Sequence, residues 1–233
     1  PVALGDRTGT SCTWSVDHPK GHIYLVGDSN AGQFTEPAAR AANRQGYDLT
    51  VVTMAGCPFV DLVLDEIGGR FDGESCNTDV NETVATLEAR HPSLVVIASS
   101  STEYVNGRRE VLADPVTGAR SSHRGTKASL WERGLRRVVA PLGRAGIPTV
   151  VIHTVPQFGA TLGSNWRAMT CPALRIRDGS CGGARSRAGV VAEQAVTRAA
   201  EDRAVRGVPL ASTADFIDEL CSPTTCATRR GDL

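Results

Sequence analysis

Four short runs of aliphatic and β-branched residues constrain this chain most: HIYLVG at 22–27, DLTVVTM at 48–54, LVVIA at 94–98 and TVVIH at 149–153. Strands that are apolar at nearly every position must be covered on both faces, as in a parallel sheet enclosed by helices. Helical stretches alternate with them. Residues 31–44 are Ala-rich and closed by Gly46, 80–90 and 130–144 carry helical spacing, Gly146 ends the latter, and 186–206 reads as a further helix. A short fifth strand is predicted at 208–211 and a short helix at 213–220, opened by Ser212 or Thr213 as a cap. Residues 99–125, rich in Ser, Arg, Gly, Asp and Asn, read as a long loop. The expected fold is a three-layer α/β/α sandwich with a central parallel five-stranded sheet in the flavodoxin-like order. Residues 1–20 read as a linker from an upstream segment and 21–233 as one domain, with the chain an excised piece of something longer.

Lys plus Arg number 25 and Asp plus Glu number 25, so no global field exists to hold a nucleic acid or an anionic membrane surface. No run approaches the roughly 18 apolar residues of a membrane helix, so direct membrane insertion by this chain is not expected. Six of the seven cysteines form sequence-local pairs: Cys57 with Cys76, Cys171 with Cys181, and Cys221 with Cys226. Each pair encloses a Gly-, Pro-, Ser- or Thr-rich stretch whose closure by a disulfide would contribute about 3 kcal/mol, which implies an oxidising compartment. Zinc is the competing reading, but there is no C-x-x-C and no histidine at finger spacing, so neither metal nor cofactor is expected. Cys12 is left over, either free or paired upstream.

Sheets of this kind place ligands beyond the carboxyl ends of their strands. Gly27-Asp28-Ser29 lies where the first strand gives way to the first helix. Ser29 would then stand at a helix entrance, where backbone N–H groups and the helix dipole favour an oxyanion. Helix capping by Asp28 or Ser29 is the simpler alternative for such a tripeptide.

YLVGDSNAGQF at 24–34 and TVVTMAGCPF at 50–59 resemble the SGNH hydrolases. The Gly56-Cys57-Pro58 run, the helix around Trp131 and Gly134 leading to AGIPTVVI, and DFIDELCSPTTC at 215–226 are similar to the branch fused to membrane acyltransferases of the acyltransferase-3 type. The resemblance implies Ser29 as nucleophile, with the N–H groups of Ser29 and Gly56 in the oxyanion hole. The family's third donor is an Asn after the third strand; here Ser99-Ser100-Ser101-Thr102-Glu103 occupies that place, and Thr102 is the positional match. A serine also needs an imidazole to take its proton. The family supplies it from an Asp-x-x-His motif that this sequence lacks, so the expectation is a chain cut short before that segment; Asp215 and Asp218 come too early. His22 begins the first strand, ~20 Å from Ser29, and His18 and His91 also belong to the far edge. His153 and His123 lie on the correct side and are the possible bases if none lies downstream, although His153 would sit about 10 Å away across two strands.

The implied activity is transfer of an acyl group, acetyl by resemblance, through a Ser29 acyl-enzyme to a hydroxyl of a surface or exported glycan. The donor would come from an attached membrane acyltransferase module, and the domain would be extracytoplasmic, tethered to that module. An O-acetyl esterase and a non-catalytic glycan-binding module are the alternatives, and Trp14, Tyr104 and Trp166 are candidates for stacking on sugar rings.

Overall fold

The computed structural model describes residues 10–66, 73–158 and 182–228. In chain order the elements are β1 (Thr10–Trp14), β2 (His22–Gly27), α1 (Ser29–Gln33), α2 (Thr35–Gln45), β3 (Asp48–Thr53), β4 (Val63–Glu66), α3 (Gly73–Arg90), β5 (Leu94–Ala98), α4 (Ser101–Asn106), β6 (Glu110–Ala113), β7 (Arg120–Ser121), α5 (Arg124–Arg144) and β8 (Thr149–Ile152). After these come β9 (Ala184–Ser186), α6 (Arg187–Val205), β10 (Ala211–Ala214), α7 (Ile217–Leu220) and β11 (Thr225–Ala227). The chain divides into two units: residues up to 154 with 196–214, and residues 155–195 with 215–233.

The first unit is built on a six-stranded sheet in the order β1-β3-β2-β5-β8-β10. Five of these strands are parallel, as the doubly apolar runs require, and β1 joins the edge antiparallel to β3. Alternate residues explain the covering on both sides. Tyr24, Val26, Val95, Ile97 and Val151 share one core with Val80, Val84 and Leu87 of α3 and with Trp131, Leu135 and Val138 of α5. The intervening Leu25, Leu49 and Val51 are equally buried but lie outside that core, as does Ala42 of α2. Successive strand side chains point to opposite faces, so two apolar layers enclose the sheet.

Several sequence expectations are corrected. Residues 10–14, read as linker, form β1. The fifth strand is 211–214, not 208–211: Val208 is buried in a turn, closed by its N–H on the Val205 carbonyl, and Ala211 rather than Val208 pairs with Thr149. The stretch 99–125 is not a loop. It contains α4 and two strands of a three-stranded antiparallel sheet, β4-β6-β7. Its polar residues serve the backbone. The fully buried Lys127 ammonium donates to the carbonyls of Tyr104 (2.8 Å), Gly107 (2.6 Å) and Glu110 (3.1 Å), and so joins α4 to the start of β6. Buried Asp114 accepts from the N–H groups of Val116 and Thr117 and pairs with Arg133 and Arg137. Helix α3 starts at 73 instead of 80, because Asn77 and Asn81 on its first turns donate to Asp61 and Cys76 is bonded to Cys57.

In the second unit β9 and β11 pair antiparallel, and Cys221 is bonded to Cys226. Val190, Ile217, Cys221 and Cys226 form a small core joined by Phe158. The helix expected at 213–220 is a single turn at 217–220, opened by the Asp215 carboxylate, which accepts the Ile217 N–H. The expected Cys171–Cys181 pair and Trp166 lie outside the described residues. Cys12 has no disulfide partner among the described residues.

Candidate active site

Strands β2, β3 and β5 end level with one another: Gly27 is opposite Thr53 on one side and Ala98 on the other, and Ala98 is opposite Ile152 of β8. The segments that follow these strands therefore gather at one edge of the sheet. Gly27 has φ +148°, and a Cβ there would stand 1.8 Å from the Ala98 carbonyl oxygen, so only glycine fits this turn.

The next residue holds the turn in place. Asp28 is fully buried, and one carboxylate oxygen accepts the Asn30 N–H at 2.7 Å while the other accepts the Ser100 N–H at 2.9 Å. The Tyr104 hydroxyl donates a third hydrogen bond. Burial raises the Asp28 pKa although these donors oppose it. The Tyr104 phenol is pushed up by burial and by the Asp28 charge, which keeps it protonated as a donor. Asp28 thus caps α1, as the simpler reading of the tripeptide had it, and in addition ties the turn after β2 to the start of α4.

Ser29 is exposed at the first position of α1. Among the described residues neither its hydroxyl nor its N–H has a hydrogen-bond partner, and the Gly56 N–H is likewise without an acceptor. Gly56 takes φ +76° in the turn after β3. That turn is held by the Met54 N–H on the Gly27 carbonyl (3.1 Å), the Cys57 N–H on the Met54 carbonyl (3.1 Å) and the Cys57–Cys76 disulfide. The long helix expected behind Ser29 is interrupted. Phe34 closes α1 after five residues by donating to the Ala31 and Gly32 carbonyls, so the dipole behind Ser29 is that of a single turn.

The serine-rich end of β5 is tied to the same edge. The Ser99 hydroxyl accepts from the Phe59 N–H (3.1 Å), and the Ser99 carbonyl accepts from the Asn30 side-chain amide (3.3 Å) and the Thr154 hydroxyl (3.3 Å). Thr154 also engages the Ser101 hydroxyl (2.8 Å) and the Thr102 N–H (3.3 Å). Thr102 is buried, and its hydroxyl has no partner among the described residues. Tyr104, considered for sugar stacking, is instead buried and stacked on Trp131 with ring centroids 5.9 Å apart.

The histidines do not complete a triad here. His153 is buried with Nδ1 2.7 Å from Glu201 and Nε2 3.3 Å from Asp202. Nδ1 is hydrogen-bonded to Glu201 and Nε2 faces Asp202, both on α6, and His153 makes no hydrogen bond to Ser29. His123 is exposed at the entrance of α5, with no hydrogen bond between its ring and Ser29. His22 is bound to the Thr50 hydroxyl (2.7 Å) at the far edge. Among the described residues no cluster of His, Cys, Asp or Glu is arranged to hold a metal ion. Sequence reasoning missed Tyr104 and Thr154 as supports; the Ser-rich run after a buried strand was the available signal.

A parallel sheet of this order, with a serine exposed at the turn after β2, is the flavodoxin-like α/β arrangement to which SGNH-type domains belong. The family model "SGNH domain (fused to AT3 domains)" matches residues 5–233, and the chain belongs to that family. It is similar in fold to the periplasmic domain of the lipopolysaccharide acetyltransferase of Salmonella ser. Paratyphi A. That likeness has 15% identity and a TM-score of 0.52, and covers 93% of this chain and 74% of the other. No curated protein matches the sequence. No helix among the described residues is long and apolar enough to cross a membrane.

Replacing Asp28 with Asn retains one acceptor and puts a donor against the Ser100 N–H or the Tyr104 hydroxyl. Denaturant titration should find a loss of about 2–3 kcal/mol, the cost of a buried donor left without its charged acceptor. A second expectation concerns His153. Burial opposes its charge, but the hydrogen bond to Glu201 and the charges of Glu201 and Asp202 outweigh burial and raise its pKa above 6.5. A raised folded-state pKa contributes stability that is complete below the unfolded value and is lost as pH rises through the folded one. Melting curves should therefore decline as pH rises above the ordinary histidine value of 6.5 and through the raised folded-state value, and His153→Gln should flatten that decline.

Proposed function

We propose that the chain is the extracytoplasmic SGNH domain of a membrane O-acyltransferase, and that it moves an acyl group, acetyl in the favoured case, onto a glycan hydroxyl through Ser29. The observation that carries this reading is the exposed, unpartnered Ser29 hydroxyl on a turn locked from beneath by buried Asp28, with the unengaged Gly56 N–H at the same sheet edge.

In the first step the Ser29 Oγ bonds to the carbonyl carbon of the acyl donor and its proton passes to an imidazole. The carbonyl oxygen becomes an oxyanion facing the N–H groups of Ser29 and Gly56, with Thr102 the candidate third donor. Collapse expels the donor's leaving group, which takes up the proton. A glycan hydroxyl then attacks the acyl-enzyme, gives its proton to the same imidazole and leaves as the ester, and Ser29 regains its hydrogen. The family resemblance assigns the imidazole to an Asp-x-x-His motif, consistent with the commitment of His153 to Glu201 and Asp202. The donor is delivered by the membrane acyltransferase module of which the family's AT3 domain is the counterpart.

The test is Ser29→Ala in the intact protein. O-acylation of the glycan, read by mass spectrometry of released saccharide, should fall at least about a hundredfold, as expected when a covalent nucleophile is removed. Full retained acylation refutes the assignment. Ester hydrolysis unaffected by added saccharide would instead identify an esterase.

A further inference from the structure

The edge of the sheet away from β10 carries a cleft that the Ser29 site does not use. It lies between β1 and α2, encloses about 790 Å³, and is lined among others by Trp14, Tyr47, Glu36, Arg40, Asn43 and Arg44. The residues at 36, 40, 43 and 44 recur at helical spacing and so form one stripe of α2. Trp14 is 39% exposed, unusual for a tryptophan within a strand. It is also well held: β1 is paired along its length with β3, the Thr13 and Thr50 hydroxyls meet at 2.8 Å, and the Val16 N–H donates to the Asp48 carboxylate at 2.9 Å.

The chemistry of the lining selects among occupants. Glu36 and Arg40 are ion-paired, and Arg44 Nε donates to the Arg40 carbonyl. Glu36 neutralises Arg40, so Arg44 alone leaves a net charge on the lining, one exposed cation rather than the cluster that holds a phosphate or a polyanion. An apolar ligand would leave the carboxylate, amide and guanidinium edges facing hydrocarbon. A neutral sugar meets both demands: one ring face lies on the indole, and the hydroxyls exchange hydrogen bonds with Asn43, Glu36 and the arginines.

The cleft is directed toward the Ser29 edge. Trp14 pairs with Leu49, four residues or about 13 Å down β3 from Thr53, which is level with Gly27. At the other end of the cleft Thr35 opens α2, six residues beyond Ser29. We propose that this cleft binds the chain of an uncharged glycan acceptor, laid along α2 so that a unit further along it reaches Ser29. The proposal rests on the glycan-acceptor reading above, and makes the domain selective for polymers over single sugars.

The test separates the two ideas by removing the chemistry. Ser29→Ala protein is titrated calorimetrically with cello-, chito-, xylo- and manno-oligosaccharides of one to six units. Affinity for at least one series should rise with length, Trp14→Ala in that background should weaken it about tenfold, and Trp14→Phe should recover most of it. Circular dichroism melts of the same variants establish that they are folded. No binding of any series, binding without length dependence, or binding indifferent to Trp14 overturns the cleft assignment and leaves the Ser29 mechanism standing. A concentration-dependent dimer that Trp14→Ala dissolves also overturns it, by assigning the cleft to a second copy.

Discussion

The site depends on one buried carboxylate. Asp28 has no exposed surface, and an anion in that position is tolerable only because a backbone amide on each side and a phenol from below supply donors. Each donor belongs to a different piece of chain: Asn30 to α1, Ser100 to the end of β5, and Tyr104 to α4. Satisfying the charge therefore fixes the turn after β2 against the turn after β5. The residue that follows Asp28 is consequently held out toward solvent with no partner of its own among the described residues. Gly27 permits the arrangement, since any side chain there would occupy the Ala98 carbonyl oxygen.

The same economy recurs away from the site. Lys127 is buried to serve three carbonyls, and Asp61 is held by Asn77, Asn81 and Arg137, which keep its carboxyl below the usual range despite the opposing effect of burial. These polar residues convert what composition alone suggests is a solvated excursion into a small sheet and two helix ends. His153 belongs with them. Its position at the end of β8 made it, with His123, a possible base only if none lies downstream, and the carboxylates of α6 make it a joint between strand and helix.

How much was legible follows from range. The four apolar strands and their parallel order were readable because burial on both faces leaves a local signature, as in HIYLVG and LVVIA. The position of Ser29 at the carboxyl edge came with them, since strand direction alone decides which end a turn occupies. β1 escaped notice because TSCTW is mixed in polarity, as suits a strand that is at the sheet edge among the described residues. The 99–125 region was misread because its order comes from contacts such as Lys127 to Gly107 and Asp114 to Arg137, whose partners lie about 20 residues apart and which no periodicity announces. The roles of Tyr104 and Thr154 were hidden for the same reason: each acts through a bond to a distant turn.

The proposed transfer requires the Ser29 Oγ to carry the acyl group between donor and acceptor. Peptide mass spectrometry of the intact protein, quenched in acid during turnover of an acetyl donor, measures this directly. The expected result is one added acetyl on the peptide containing Ser29, appearing with the donor and discharged when glycan is supplied. An acetyl carried on another residue, with residue 29 unmodified while product accumulates, would contradict it.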